Sequence, residues 1–109
     1  MKAHIYYVYI LTTSHNKVLY TGVTNYLERR CREHSDKLIK GFTSRYNIDK
    51  LVYFEVFDNI EIAIARQKQI KAYSRKKKEA LINYLNKDWS TLYINGKIKY
   101  PIKHNRNVD

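Results

Sequence analysis

Four side chains in this sequence could act together on an anionic substrate: Tyr9, Tyr20, Arg30 and His34. Arg30 follows Tyr20 by ten residues, and His34 follows Arg30 by four, which is about one helical turn. Taken singly, a strand tyrosine usually packs, a helical arginine is usually solvated and a lone histidine is usually structural. The set and its spacing therefore carry more information than any single member.

A run of positive charge is the second candidate feature. Between residues 66 and 78 there are seven basic side chains and no carboxylate, and Arg29, Arg30 and Arg32 form a second cluster. Because like charges in an unbroken run repel each other, we favour a phosphate-binding surface over a solvated helix face. The predicted nucleic-acid contacts are Arg29, Lys68, Lys71, Arg75, Lys76, Lys77 and Lys78.

The charge of the whole chain agrees with a polyanionic partner. The 109 residues include 21 Lys and Arg against 10 Asp and Glu, a formal net charge of +11. DNA, RNA, a ribosome or an anionic membrane surface would each satisfy this charge. The membrane is the weakest of these, because the basic helices lack a broad apolar face and no apolar run approaches the length of a span.

The single cysteine and the N-terminal sequence indicate the compartment. Cys31 cannot form an intramolecular disulfide or build a thiolate zinc site alone. The first eight residues lead directly into strand-like sequence and do not resemble a signal peptide. We therefore expect a cytoplasmic protein.

Three segments rich in aromatic and β-branched residues are predicted as strands: 4–12, 18–23 and 50–57. A polar turn joins the first two, so they should form an antiparallel hairpin. Gly22 ends the second strand, where a side chain would crowd a turn or a ligand. Residues 39–49 are predicted as a polar loop with aromatic anchors.

Helices are predicted between the second and third strands and after the third. The first should begin at Asn25 as a capping box with Glu28, and its inward stripe is Leu27, Cys31, Ser35 and Leu38. The second should run from about Ile60 to Tyr73, with Ile60, Ala63, Ile64, Gln67 and Ile70 on one face. Ser74 can cap a third helix that ends near Asn86.

This order of elements predicts an α+β fold with a central three-stranded antiparallel sheet flanked by helices. Residues 1–88 are expected to form the domain, and residues 89–109 a C-terminal extension. Within the extension, Asn95-Gly96 between apolar residues predicts a short hairpin, and residues 101–109 are a polar tail. The extension could cover part of the sheet or mediate self-association.

The segments Tyr7-Val8-Tyr9 and Tyr20-Thr21-Gly22, followed by Arg30 and His34, resemble the GIY-YIG nuclease family. The run from Tyr20 to Arg30 is similar to the continuation of the family's second tripeptide. Further along, the segments 50–55 and 68–82 are similar to its small stand-alone bacterial branch. The resemblance covers roughly residues 4–86 and implies a DNA endonuclease that hydrolyses phosphodiesters with Mg²⁺ or Mn²⁺.

The resemblance also implies a role for each site residue. Tyr20 is similar to the tyrosine that activates or positions the attacking water, and Tyr9 to its partner. Arg30 matches the arginine that steadies the scissile phosphate, and His34 has a supporting role. A tyrosine is a poor base at neutral pH unless cations or a metal lower its pKa, and this chain supplies cations.

Gln67 stands where the family has its metal-binding glutamate. Because Gln67 is neutral, we expect the affinity for a divalent cation to be weakened or lost, and with it the activity of this chain. Gln67 is compatible with a natural family member that binds nucleic acid without cutting it, and with an engineered inactive variant. Another carboxylate could also take over the metal, although no carboxylate in the sequence has the right spacing. The alternative function is a non-catalytic nucleic-acid-binding module. The expected partner is DNA, including branched or damaged DNA, with RNA as an alternative.

Overall fold

The computed structural model describes residues 4–100. Its fold is a central antiparallel sheet with helices on both faces. The α+β class and the three-stranded sheet are therefore confirmed. The elements in chain order are β1 (Tyr6–Thr12), β2 (Leu19–Thr24), α1 (Leu27–Ser35), α2 (Phe42–Arg45), β3 (Lys50–Phe57), α3 (Ile60–Lys71), α4 (Arg75–Leu85), β4 (Tyr93–Ile94) and β5 (Lys97–Ile98).

The sheet has the order β2-β1-β3, and its two faces pack against different elements. Successive side chains of a strand point to opposite faces. Tyr9 and Leu11 of β1 pack with Leu27 and Cys31 of α1, and Tyr20 lies on the same side. We call this the tyrosine face. Val8 and Ile10 pack on the other side with buried residues of α3 and α4, and we call this the isoleucine face.

The first helix begins and ends differently from the prediction. It starts at Leu27, its N-cap is Tyr26, and no side chain caps it, so the Asn25 capping box is wrong. Its buried side consists of Leu27, Cys31 and His34. Ser35 is exposed, and Leu38 is 61% exposed because the helix has already ended. A left-handed residue at 37 (φ 57°) takes the chain out of helical geometry.

The loop predicted for residues 39–49 contains the short helix α2, and its aromatic residues do not anchor it. Phe42 and Tyr46 are 53% and 49% exposed, with ring centroids 4.9 Å apart. The segment is anchored by buried Thr43 and Ile48, and the Ile48 amide donates to the Thr43 carbonyl at 2.9 Å.

The two C-terminal helices have the predicted side-chain caps, but the apolar stripe on α3 is partly wrong. Asn59 Oδ1 accepts from the Ile62 amide at 2.9 Å, and Ser74 Oγ accepts from the Lys77 amide at 3.2 Å. Ala63 and Ile70 are buried, whereas Ile60 and Ile64 are 40% and 37% exposed. The helix turns its 63-to-70 side to the sheet, and Gln67 is half-buried between those residues.

The predicted hairpin is formed by β4 and β5, and residues leading to it pack against the domain. Asn95 and Gly96 both have positive φ, 54° and 79°, as a two-residue hairpin turn requires. Leu92 is buried on the tyrosine face, and its amide donates to the Leu51 carbonyl at 2.8 Å. The predicted polar tail, 101–109, lies outside the described residues.

A β-bulge in β3 connects the sheet to the end of α4. The register shifts between Ile10, opposite Tyr53, and Leu11, opposite Leu51, so Val52 has no partner in β1. The Val52 carbonyl instead accepts from buried Asn86 Nδ2 at 3.0 Å. The bulge therefore keeps its backbone hydrogen bond through a side chain just beyond α4.

Candidate functional site

The position of Tyr9 depends on the absence of a side chain at residue 22. The two residues are directly paired across β1 and β2. A Cβ atom on Gly22 would come within 3.0 Å of the Tyr9 ring and hydroxyl, closer than folded proteins allow. The glycine is thus a cradle for the tyrosine ring, which is only 2% exposed.

His34 joins both tyrosines from the buried side of α1. Its ring centroid lies 6.2 Å from that of Tyr9 and 5.9 Å from that of Tyr20. The Tyr9 hydroxyl is 3.5 Å from Nε2, and Nδ1 is 3.1 Å from Thr43 Oγ1. A neutral imidazole can accept a hydrogen bond at one nitrogen and donate one from the other, so His34 can satisfy both hydroxyls.

Burial decides the protonation of this cluster. Burial and then the neighbouring Tyr20 raise the pKa of Tyr9 far above its usual range, and the opposing effect of Arg30 is smaller. Burial and then Arg30 lower the pKa of His34 below 6.5. At neutral pH Tyr9 is therefore a protonated donor and His34 is uncharged. For Tyr9, desolvation raises the pKa more than the nearby Arg30 charge lowers it.

Arg30 brings an unsatisfied donor to this cluster. Its Nε is buried and has no hydrogen-bond partner among residues 4–100. The nearest carboxylate oxygen, Glu33 Oε1, is 3.6 Å away, and the Arg30 side chain is 35% exposed. A buried donor without a partner costs about 1–3 kcal/mol, so this nitrogen is suited to donate to an anionic oxygen of a ligand.

Gln67 lies on α3, one turn after buried Ala63 and one turn before buried Ile70. Its side of α3 packs on the isoleucine face, together with Ala63 and Ile70. Within the described residues the Gln67 side chain has no hydrogen bond, and Thr21 on the same face has a buried hydroxyl that also lacks one.

The donor set does not suit the expected divalent cation. Across residues 4–100 no group of three or more His, Cys, Asp or Glu side chains is arranged to hold a metal. Glu55 is bound by Arg66 and Tyr53, and Glu33 lies beside Arg29 and Arg30. Since Gln67 carries no charge, the described residues do not fit Mg²⁺ or Mn²⁺.

A polar network on the isoleucine face is not predicted by the sequence. Arg66 donates from Nε and Nη2 to the two carboxylate oxygens of Glu55 at 2.8 and 2.9 Å, and from Nη1 to Gln69 and Tyr73. The Tyr53 hydroxyl also donates to Glu55. Despite burial, these donors hold the pKa of Glu55 below its usual range. A carboxylate within an apolar strand is the signal that could have indicated the network.

The predicted nucleic-acid contacts divide into engaged and free side chains. Arg75 donates to the carbonyls of Lys17 and Asn16 at 2.5 and 2.7 Å and to Glu79 at 2.8 Å. The Lys77 ammonium lies 4.4 Å from the centre of the Tyr73 ring, and Arg29 lies over Tyr26. Lys68, Lys71, Lys76 and Lys78 make no side-chain hydrogen bond or ion pair within the described part of the chain.

Comparison with known proteins identifies the family. A family model described as the GIY-YIG catalytic domain matches residues 5–80. This chain belongs to the GIY-YIG family. Proteins with this domain are typically nucleases. The matched region includes β1 to α3 and the first turns of α4. It therefore contains all four candidate site residues, Tyr9, Tyr20, Arg30 and His34.

Several relatives of this GIY-YIG protein are UPF0213 proteins. One from Haloquadratum walsbyi is 42% identical over 76 residues, covering 70% of this chain and 84% of the relative. One from Clostridium perfringens is 42% identical over 77 residues, covering 71% and 82%. A solution structure of the UPF0213 protein from Bacillus halodurans has 32% identity and a TM-score of 0.47, covering 72% and 83%. Among the described helices of the GIY-YIG protein, none has the length and apolarity to cross a membrane.

Proposed function

We propose that this chain uses the tyrosine face to bind a phosphodiester of DNA, in a GIY-YIG endonuclease scaffold whose cleavage is weak or silent. The observation that carries the proposal is the buried Nε of Arg30, which has no hydrogen-bond partner among residues 4–100, beside Tyr9, Tyr20 and His34. An arginine with a free donor beside a protonated tyrosine is suited to a phosphate oxygen, because both groups donate and one is cationic.

Each residue of the cluster has a distinct part in this proposal. Arg30 binds a non-bridging phosphate oxygen and stabilises the charge that develops there during hydrolysis. Tyr9 stays protonated and serves as a donor, while neutral His34 orients the Tyr9 hydroxyl. Tyr20, less buried than Tyr9, positions the water that attacks the phosphorus.

The chemistry that a divalent cation supplies to this family, stabilisation of phosphate charge and of the attacking oxygen, has no fitting ligand set among the described residues. The neutral amide at Gln67 is the reason we propose weak or silent cleavage. DNA is preferred to RNA by the family resemblance alone, and the charge suits both.

A nicking assay on supercoiled plasmid with Mg²⁺ or Mn²⁺ tests this function, with the Gln67→Glu variant alongside the parent chain. Cleavage by the variant alone is the expected result. Equal cleavage by both would show that another group holds the metal. If neither the parent chain nor the variant bound DNA, the nucleic-acid assignment would be overturned.

A non-catalytic nucleic-acid-binding module is the second candidate, favoured by the absence of a fitting metal group among the described residues. It predicts that Tyr20→Phe and Arg30→Ala change DNA affinity little. It also predicts that charge removal at Lys76, Lys77 and Lys78 weakens the dependence of DNA affinity on salt. The slope of the logarithm of the binding constant against the logarithm of the salt concentration should become shallower by about 0.9 for each phosphate that the variant no longer neutralises. Binding without nicking by Gln67→Glu would favour this module.

A further inference from the structure

The two basic clusters lie on opposite sides of the sheet. Arg29 and Arg32 are exposed on α1, which covers the tyrosine face. Lys68, Lys71 and Lys76 are exposed on α3 and α4, which cover the isoleucine face. We define the first pair as the α1 surface and the three lysines as the α3–α4 surface. The linear sequence does not indicate that these two clusters lie on opposite faces of the sheet.

The distance between the two surfaces makes them electrostatically independent. They are separated by the sheet and by two layers of helices, each about 10 Å across. This is more than the Debye length of about 8 Å at physiological ionic strength. A straight duplex bound along one surface therefore neither contacts nor neutralises the other.

The charges of the α3–α4 surface are not used within the fold. Arg66 is bound to Glu55, and Arg75 is bound to Glu79 and to two backbone carbonyls. Lys68, Lys71 and Lys76 have no such partner among residues 4–100. Glu79, which follows Lys76 by one helical turn, is already paired with Arg75, so no ion pair offsets the repulsion among these lysines, and a polyanion bound there would relieve it.

We propose that one copy of this chain binds two double-stranded nucleic-acid segments at once, one on the α1 surface and one on the α3–α4 surface. This rests on the proposed function, because the α1 surface adjoins Arg30. The consequence is bridging: a duplex held on one surface raises the effective concentration of a second duplex at the other. Crossing or folded-back DNA would bind more tightly than a single straight duplex.

A bridging assay tests the inference with the full chain. One DNA duplex is immobilised on beads, a second labelled duplex is added, and its capture is measured as protein is titrated. Binding to a single duplex is measured in parallel by fluorescence anisotropy, and the molar mass in solution by light scattering.

Three double variants, each removing two positive charges, are compared. Arg29→Gln with Arg32→Gln alters the α1 surface, and Lys71→Gln with Lys76→Gln alters the α3–α4 surface. The matched control is Lys87→Gln with Lys99→Gln, at exposed positions outside both surfaces. Circular dichroism checks that each variant is folded.

The expected result is capture by the parent chain and by the control, and a loss of at least about tenfold with each surface variant. Each surface variant still binds a single duplex through its remaining surface. Loss with only one surface variant would indicate bridging by self-association through one surface and would overturn the inference. Single-duplex binding without capture would also overturn it, whereas no binding at all would instead refute the proposed function.

Discussion

Arg30 and Arg66 show how one residue type serves different ends on the two faces of the sheet. Arg66 satisfies Glu55, Gln69 and Tyr73 and joins α3 to β3. Arg30 has a buried Nε without a hydrogen-bond partner among residues 4–100, and the carboxylate of Glu33 lies 3.6 Å away, within ion-pair distance only. The isoleucine face thus uses its arginine for the fold, whereas the tyrosine face leaves its arginine available to a ligand.

The largest effect on this comparison is expected from Gly22→Ala, which disturbs the tyrosine face alone. The added methyl group would overlap the Tyr9 ring, and overpacking of this kind costs about 2–3 kcal/mol in the free energy of unfolding. Urea denaturation measures the loss. Gly96→Asn is the control, because a Cβ atom there would meet no heavy atom within 4 Å beyond its chain neighbours, and asparagine tolerates positive φ. Equal stability of Gly22→Ala and the parent chain would contradict the inference that the Tyr9 ring requires glycine at residue 22.

The next effect concerns the isoleucine face. Glu55→Gln removes the charge that Arg66 and Tyr53 surround, and we expect a loss of about 2 kcal/mol because a partly buried guanidinium is left without its carboxylate. Glu79→Gln breaks the more exposed pair with Arg75 and should cost less than about 0.5 kcal/mol. Thermal or urea unfolding at neutral pH distinguishes the two, and similar losses would refute the contrast.

The smallest expected effect is a pH dependence that arises from His34. Because its pKa is lowered in the folded chain, the unfolded chain binds more protons as pH falls below about 6.5. The stability contributed by neutral His34 is fully present above that pH and is lost as pH falls toward the lowered pKa. Urea unfolding at pH values of about 7.5 and 5.5 should show this decrease, and His34→Gln should reduce it. An unchanged pH dependence in His34→Gln would assign the effect to other groups.

The strands, the caps of α3 and α4 and the Asn95-Gly96 hairpin can be predicted from the sequence, because these features depend on local chemistry. Side-chain alternation, a capping oxygen and positive φ are all set by residues close in the chain. The pairing of β1 with β3 joins segments that are far apart in the chain. Side-chain alternation in the two strands is consistent with this pairing, but only the family resemblance predicts which strands are neighbours. The strand bulge at Val52 has no local signal.

The candidate site is less completely predictable. The spacing of Tyr20, Arg30 and His34 is visible in the sequence, and the three residues share one cluster in the fold. The direction of the Tyr9 pKa is not visible there, since burial depends on packing from distant segments. The contact between His34 and Thr43 is also missed, because the sequence predicts an irregular loop where α2 lies. The predicted apolar stripe that contains Gln67 is only partly buried, because packing on the sheet decides which side of α3 is covered.

The contacts of residues 86–92 with β3 have a consequence for solubility. β3 is an edge strand, and the Val52 and Leu51 carbonyls accept from Asn86 and Leu92. An uncovered apolar edge is a template for pairing with another chain. Removal of everything after α4 would therefore expose backbone acceptors beside buried Val52 and Tyr53. We expect such a shortened chain to aggregate through this edge, so the residues after α4 protect the sheet against self-recognition.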